Sequence, residues 1–176
     1  VIHRDIKSEN IMVGRFGEVY LLDWGLAFQM ANKDKCPKGL CGSLHNMAPE
    51  MLEGDPSLVD ERTDIFLLGA TLHEAVTGNL RYQGESFAEL KSQIAQCESQ
   101  EYSGIFGQMF AKIINRACAK DPSKRYPSVR NLREDLELFL ERRQAVLLRE
   151  LAQEEYAKLA FGISNGMSAG TISSHF

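Results

Sequence analysis

The 176 residues suffice to bury one core, and 44% hydrophobic with 25% charged residues is the composition of an ordinary globular protein. A net charge of -4 supplies no basic footprint for nucleic acid or an anionic membrane. No apolar run approaches the ~20 residues needed to cross a bilayer; the longest candidate is Ile65 to Ala70.

The chain opens on a polar loop, His3 to Asn10, with Val1-Ile2 before it and no signal-peptide pattern. Because it starts at Val1 rather than Met, it reads as a piece of a longer parent. Two short strands follow, Ile11-Met12-Val13 and Val19-Tyr20-Leu21-Leu22, with a tight turn at Gly14-Arg15-Phe16-Gly17. Residues 26–48 lack periodicity and are punctuated by Pro and Gly, which predicts a long loop; such loops are commonly functional.

Helices fill the rest. Thr63 to Thr77 is apolar on nearly every side and ends at Gly78, the pattern of a buried helix. Ser86 to Cys97 carries Phe87, Leu90 and Ile94 at helical spacing, and Phe110 to Ala119 carries Phe110, Ile113, Ile114 and Ala117. From Ser128 a stripe of Val129, Leu132, Leu136, Phe139 and Leu140 continues through Leu147 and Leu151 towards Leu159. The Gly/Ser-rich end, 164–176, is expected to be disordered. Four cysteines (Cys36, Cys41, Cys97, Cys118) have no framework spacing, and a Cys36/Cys41 pair has no second pair of ligands nearby. Reduced thiols and a cytoplasmic location are therefore expected.

Chemistry concentrates near the start. His3-Arg4-Asp5-Ile6-Lys7-Ser8-Glu9-Asn10 is similar to the catalytic loop of protein kinases. Asp23-Trp24-Gly25 resembles that family's metal-binding tripeptide, with Trp for the usual Phe. Met47-Ala48-Pro49-Glu50, Asp64 and Gly69 in the buried helix, and Asp121-Pro122 before Arg125-Tyr126-Pro127-Ser128 follow in the family's order. The resemblance spans roughly residues 1–140, leaving 141–163 as a helical extension. It implies the large, C-terminal lobe of a kinase: mainly α-helical with a small β-hairpin, the N-terminal lobe absent from these residues. Lys7 resembles the serine/threonine type, and Asp23-Trp24-Gly25-Leu26-Ala27 looks like the form found in a set of bacterial serine/threonine kinases.

The resemblance also implies roles. Phosphoryl transfer depends on positioning and charge neutralisation more than on covalent participation. Asp5 would take the proton of the incoming hydroxyl, and Lys7 would place positive charge on the transferring group. Asn10 and Asp23 would hold Mg²⁺, a hard ion that takes oxygen ligands. Lys7, Glu9, Asn10, Met12 and Asp23 would meet ATP, with Met12 beneath the adenine. His3 is expected to pack structurally, and Glu50 with Arg125 to form a buried ion pair. The stretch Val13 to Tyr20 imitates a glycine-rich phosphate loop, but Met12 stands where the pattern needs Gly, so a plain turn is expected there. His45 is expected to be a solvated loop histidine and His73 a packed helical one. Ser43, following Gly42, stands where the family has a hydroxyl near the catalytic Asp. It is the only hydroxyl side chain between Asp23 and Glu50, so control by activation-loop phosphorylation is not expected.

The implied reaction is transfer of the ATP γ-phosphate to Ser or Thr of protein substrates. The missing N-lobe of the same parent chain would be the partner, and the isolated piece would be close to inactive. An uncovered apolar patch is expected on the Thr63–Thr77 helix. Two alternatives come from other classes: a non-catalytic kinase-like binding module, and a small-molecule or lipid kinase. Retention of Asp5, Lys7, Asn10 and Asp23 together weighs against the first, and the Met47–Glu50 segment against the second.

Overall fold

The structure is a computed structural model that describes residues 1–36, 38–104 and 106–164. It divides into two compact units, Val1–Asp135 and Leu136–Phe176. Of the tail expected over 164–176, positions 165–176 lie outside the described residues; Ser164 still belongs to a helix.

Strands β1 (Ile11–Val13) and β2 (Val19–Leu21) pair antiparallel, with Ile11 opposite Leu21, Met12 opposite Tyr20 and Val13 opposite Val19. The glycine-rich imitation is their turn. Gly14 N–H donates to Glu18 O at 2.7 Å, and Gly17 takes the left-handed φ of 87° that such a turn requires. The expected long loop over 26–48 is broken into short 3₁₀ turns at Trp24–Leu26, Met30–Lys35 and Leu44–Asn46. These turns satisfy backbone groups locally without any hydrophobic period, which is why the pattern alone reads as loop.

Helix α1 (Glu61–Thr77) begins in a capping box between Asp60 and Thr63 and stops at Gly78, whose φ is 71°. Helix α2 is Phe87–Gln96, capped by the Ser86 hydroxyl, which accepts from Glu89 N–H at 3.3 Å. Helix α3 is Gly107–Ala117, starting three residues before the sequence period suggests. A Cβ on Gly107 would lie 2.0 Å from the Tyr102 carbonyl oxygen, so this glycine allows a close approach at a helix start rather than marking a loop. Helix α4 (Val129–Ser164) follows Pro127-Ser128, and the Ser128 hydroxyl accepts from Asn131 N–H at 3.4 Å. No helix of the described residues is long and apolar enough to cross a membrane.

The core of the first unit gathers on α1, where Phe66, Leu67 and Ala70 meet Ile2, Met47, Ile94 and Ile114. Gly69 lets α3 approach: a Cβ there would be 2.7 Å from both Ala117 Cβ and Cys118 Sγ. The uncovered patch expected on this helix is not found. Leu68 and Leu72 pack against the core, and Val76, at 38% exposed, is the one large apolar group of α1 in solvent. Exposed apolar side chains lie instead on the hairpin and just after it (Met12, Val13, Phe16, Val19, Tyr20 and Trp24) and along α4, where Leu138, Leu140, Leu147, Leu148 and Leu151 are exposed. All four cysteines are free.

Candidate active site

The polar loop before β1 is anchored from beneath by α1. Asp64 accepts the backbone N–H groups of His3 at 2.7 Å and Arg4 at 2.9 Å, one on each carboxylate oxygen. Burial raises the Asp64 carboxyl above its ordinary range, and the two amides and the nearby positive charge only partly offset this. Arg4 adopts a left-handed φ of 69°, turning the chain so that the next residue, Asp5, projects inward. Its guanidinium donates to Leu26 O at 2.6 Å and to Cys41 Sγ at 3.3 Å, and stacks 4.9 Å from the Phe28 ring. The ends of this region are closed by a bridge in which Ile2 and Phe28 exchange both backbone hydrogen bonds, at 2.9 and 3.0 Å.

Asp5 is 8% exposed and held on both oxygens. Its Oδ1 accepts from the Ser43 amide at 3.0 Å and the Ser43 hydroxyl at 2.9 Å. Its Oδ2 faces Asn10 Nδ2 at 3.2 Å and Lys7 Nζ at 3.4 Å. Lys7 Nζ also donates to the Ser43 hydroxyl at 2.7 Å, so one serine ties together carboxylate and ammonium. Gly42 makes this approach possible: it has φ 94°, and a Cβ on it would meet Arg4 O at 2.8 Å. Asn10 spends its amide N–H₂ on Asp5, donating to the main-chain oxygen at 2.8 Å as well. Its amide oxygen is left without a hydrogen bond among the described residues.

The hairpin returns the chain to this group. Leu22 N–H donates to Asn10 O at 2.8 Å, so Asp23 stands one residue beyond Asn10's backbone partner. Asp23 is exposed, adopts a left-handed φ of 56°, and accepts from Gly25 N–H at 3.2 Å. The adjoining Trp24 is fixed by its indole N–H on Leu21 O at 2.9 Å and lies edge-on to the His3 ring at 4.8 Å. His3 itself is 2% exposed, with Nε2 3.0 Å from Leu22 O, the packed structural role read from the sequence.

Asp5, Lys7 and Asn10 are thus brought into one hydrogen-bonded group. Asp23 is linked to it through the backbone rather than by a side-chain contact. Glu9 and Met12 are exposed and do not join the group; among the described residues Glu9 accepts from the Ser8 hydroxyl, at 3.3 Å. Asp64 was legible in the sequence as a motif residue but not as the acceptor beneath the loop; an acid opening an otherwise apolar helix was the available signal. His45 is corrected: it is half-buried, with Nδ1 2.8 Å from Tyr82 O, because the turn at Leu44–Asn46 packs it against the segment after α1.

Two oxygen groups at this end of the hairpin, the Asn10 amide oxygen and the Asp23 carboxylate, could hold a hard cation that brings further oxygens of its own. Among the described residues no three His, Cys, Asp or Glu side chains cluster into an all-protein metal cage. That donor set fits Mg²⁺, which keeps water and phosphate ligands, and does not fit a structural zinc. On the far side of the fold Arg125 grips Glu50 with two bonds of 2.7 Å and also reaches Arg62 O at 2.9 Å and Ala119 O at 2.8 Å. The expected buried pair is therefore present, and it fastens the Met47–Glu50 segment to the helical core.

The family description "Protein kinase domain" matches residues 1–136. Among curated proteins, the chain is 30% identical to serine/threonine-protein kinase PknD of Chlamydia felis, over 80% of this chain and 17% of that protein. It is 30% identical to serine/threonine-protein kinase PrkC of Bacillus subtilis, over 77% of this chain and 21% of the relative. With serine/threonine-protein kinase PknB of Mycobacterium leprae the identity is 32%, over 77% and 22%. The chain thus spans about a fifth of the length of these relatives.

Proposed function

The chain belongs to the protein kinase family, on the bacterial serine/threonine side, and from that premise we propose that the protein transfers the γ-phosphate of ATP to Ser or Thr hydroxyls of protein substrates. The observation that carries this reading is the Asp5 carboxylate, buried yet held open by Ser43, Lys7 and Asn10. Its Oδ1 is saturated by the two Ser43 donors. Oδ2, held at the longer distances of 3.2 Å by Asn10 and 3.4 Å by Lys7, is the oxygen that would accept a proton from an incoming hydroxyl and orient it for in-line attack. Lys7, already 3.4 Å from Oδ2, sets a positive charge where the transferring group gains negative charge. Mg²⁺, held by the Asn10 amide oxygen and Asp23, would neutralise the ATP phosphates. Met12, exposed on β1, would offer an apolar surface for the adenine, and the exposed Glu9 would meet the nucleotide from the loop.

Residues 1–140 then serve as the catalytic lobe and 141–163 as a helical extension. Ser43, the sole hydroxyl between Asp23 and Glu50, is committed to Asp5 and Lys7, which supports activity without phosphorylation of this segment. The test is incubation of the intact protein with γ-labelled ATP, Mg²⁺ and mixed protein substrates. Label in phosphoserine or phosphothreonine is expected; label confined to a lipid or small molecule, or no transfer with nucleotide still bound, would overturn the reading.

A further inference from the structure

Arg81, between α1 and α2, is only 5% exposed. Its guanidinium carbon lies 5.6 Å from the ring centres of both Phe66 and Tyr82. Nη2 donates to Glu98 O at 3.1 Å, whereas Nε and Nη1 are shielded and have no acceptor among the described residues. Among the described residues no carboxylate pairs with it. A guanidinium is always charged, and leaving one desolvated without an anionic partner is costly. The contrast with Arg125 is direct, since that buried arginine has Glu50 and three carbonyls.

Arg81 also lines two adjoining clefts. One, of 390 Å³, is walled by His73, Gln83, Gln93 and Gln100; the other, of 150 Å³, shares Arg81, Gln93 and Gln100. Their walls are mostly side-chain amides and hydroxyls, with Glu98 and Glu101 as the acids; Gln93 already donates one amide hydrogen to Gln83 O at 2.6 Å and Gln100 one to Glu98 O at 3.5 Å, and each keeps a second hydrogen for an oxygen in the cleft. We propose that Arg81 is the recognition group of a second binding site, for a small oxyanion such as a carboxylate or a phosphate monoester, with Gln93 and Gln100 as its amide walls. Nε and Nη1 would reach the cleft as a two-pronged donor, the geometry both anions accept, once the guanidinium turns about its stem and gives up the Nη2 bond to Glu98 O. The site does not depend on the phosphotransfer reading and lies apart from the residues assigned to it.

The experiment follows the imidazole of His73 by NMR in the intact chain, at constant ionic strength, during titration with inorganic phosphate, phosphoserine or acetate. An anion seated beside His73 raises the pH at which that ring protonates, and anion bound near Asp5 does not report there. A saturable upward shift is expected, from inorganic phosphate where phosphate is the partner and from acetate where carboxylate is, with phosphoserine, which carries both groups, acting in either case. Arg81→Met abolishes it and Gln93→Ala weakens it about tenfold. Should Arg81→Met fail to fold, Gln93→Ala decides. No saturable shift with any of the three anions, or one unchanged in the folded variants, overturns the proposal.

Discussion

Asp5 takes its position from a residue 38 places later, through both the amide and the hydroxyl of Ser43. Removing that hydroxyl in Ser43→Ala leaves the amide bond but takes away the 2.7 Å tie to Lys7, which keeps only its 3.4 Å approach to Asp5, so kcat is expected to fall about tenfold with KM for ATP little changed; general-base positioning has effects of this order or larger. Steady-state kinetics on the intact protein measures it, and an unchanged kcat would remove Ser43 from the account. Phosphosite mapping of protein from its native cells is the companion measurement: no activating phosphate is expected on Ser43, whose hydroxyl is already shared by two partners. At this scale the ordered motif singled out Asp5, Lys7 and Asn10, which the fold joins through direct contacts and Ser43, and Asp23, which it links through the backbone. Asp64 beneath the loop and the Tyr82 carbonyl on His45 were not legible, since both join groups distant in sequence that only packing brings together.

Helix α1 shows how much an element's neighbours decide. Its apolar character on nearly every side announces burial, and Gly69 was readable as a motif residue. What the sequence does not tell is that α3 sits against that glycine. Gly69→Val drives branched methyls into Ala117 and Cys118, and a loss of about 1–3 kcal/mol in urea unfolding is expected; a neutral change would mean that the two helices separate freely. The boundary of α3 escaped the periodic pattern for a related reason, because Gly107 is required by the nearby Tyr102 carbonyl rather than by a turn. His73, on the same helix as Gly69, donates to or accepts from Tyr102 Oη at 2.8 Å. Burial, then the Arg81 charge, lower its protonation pH below the ordinary 6.5. The unfolded chain therefore binds a proton that the folded chain resists, so this contribution is fully present above pH 6.5 and is lost as pH falls below it. His73→Gln should flatten stability measured by urea titration between neutral and mildly acidic pH; an equally steep decline in the variant would assign the effect elsewhere.

For the molecule as a whole, Glu50 and Arg125 join the segment before α1 to the segment before α4 across 75 positions. Glu50→Gln leaves the guanidinium short of its countercharge, and about 3–5 kcal/mol of stability is expected to be lost, read as a lowered Tm; an unaltered Tm would make the pair incidental. The fold class was readable from helical periods and the hairpin turn. The location of the uncovered apolar surface was not, because it depends on which helix faces are occupied, and the hairpin and α4, rather than α1, carry the exposed apolar side chains. The arrangement of Asp5, Asn10 and Asp23 around one phosphate is the claim everything else serves. Single-turnover transfer from γ-labelled ATP by the intact protein, with Asp5→Asn compared at matched nucleotide occupancy and unchanged Tm, tests it most directly. A fall of roughly 10²–10⁴ in the transfer rate is the expected result; transfer at the unmodified rate would contradict it.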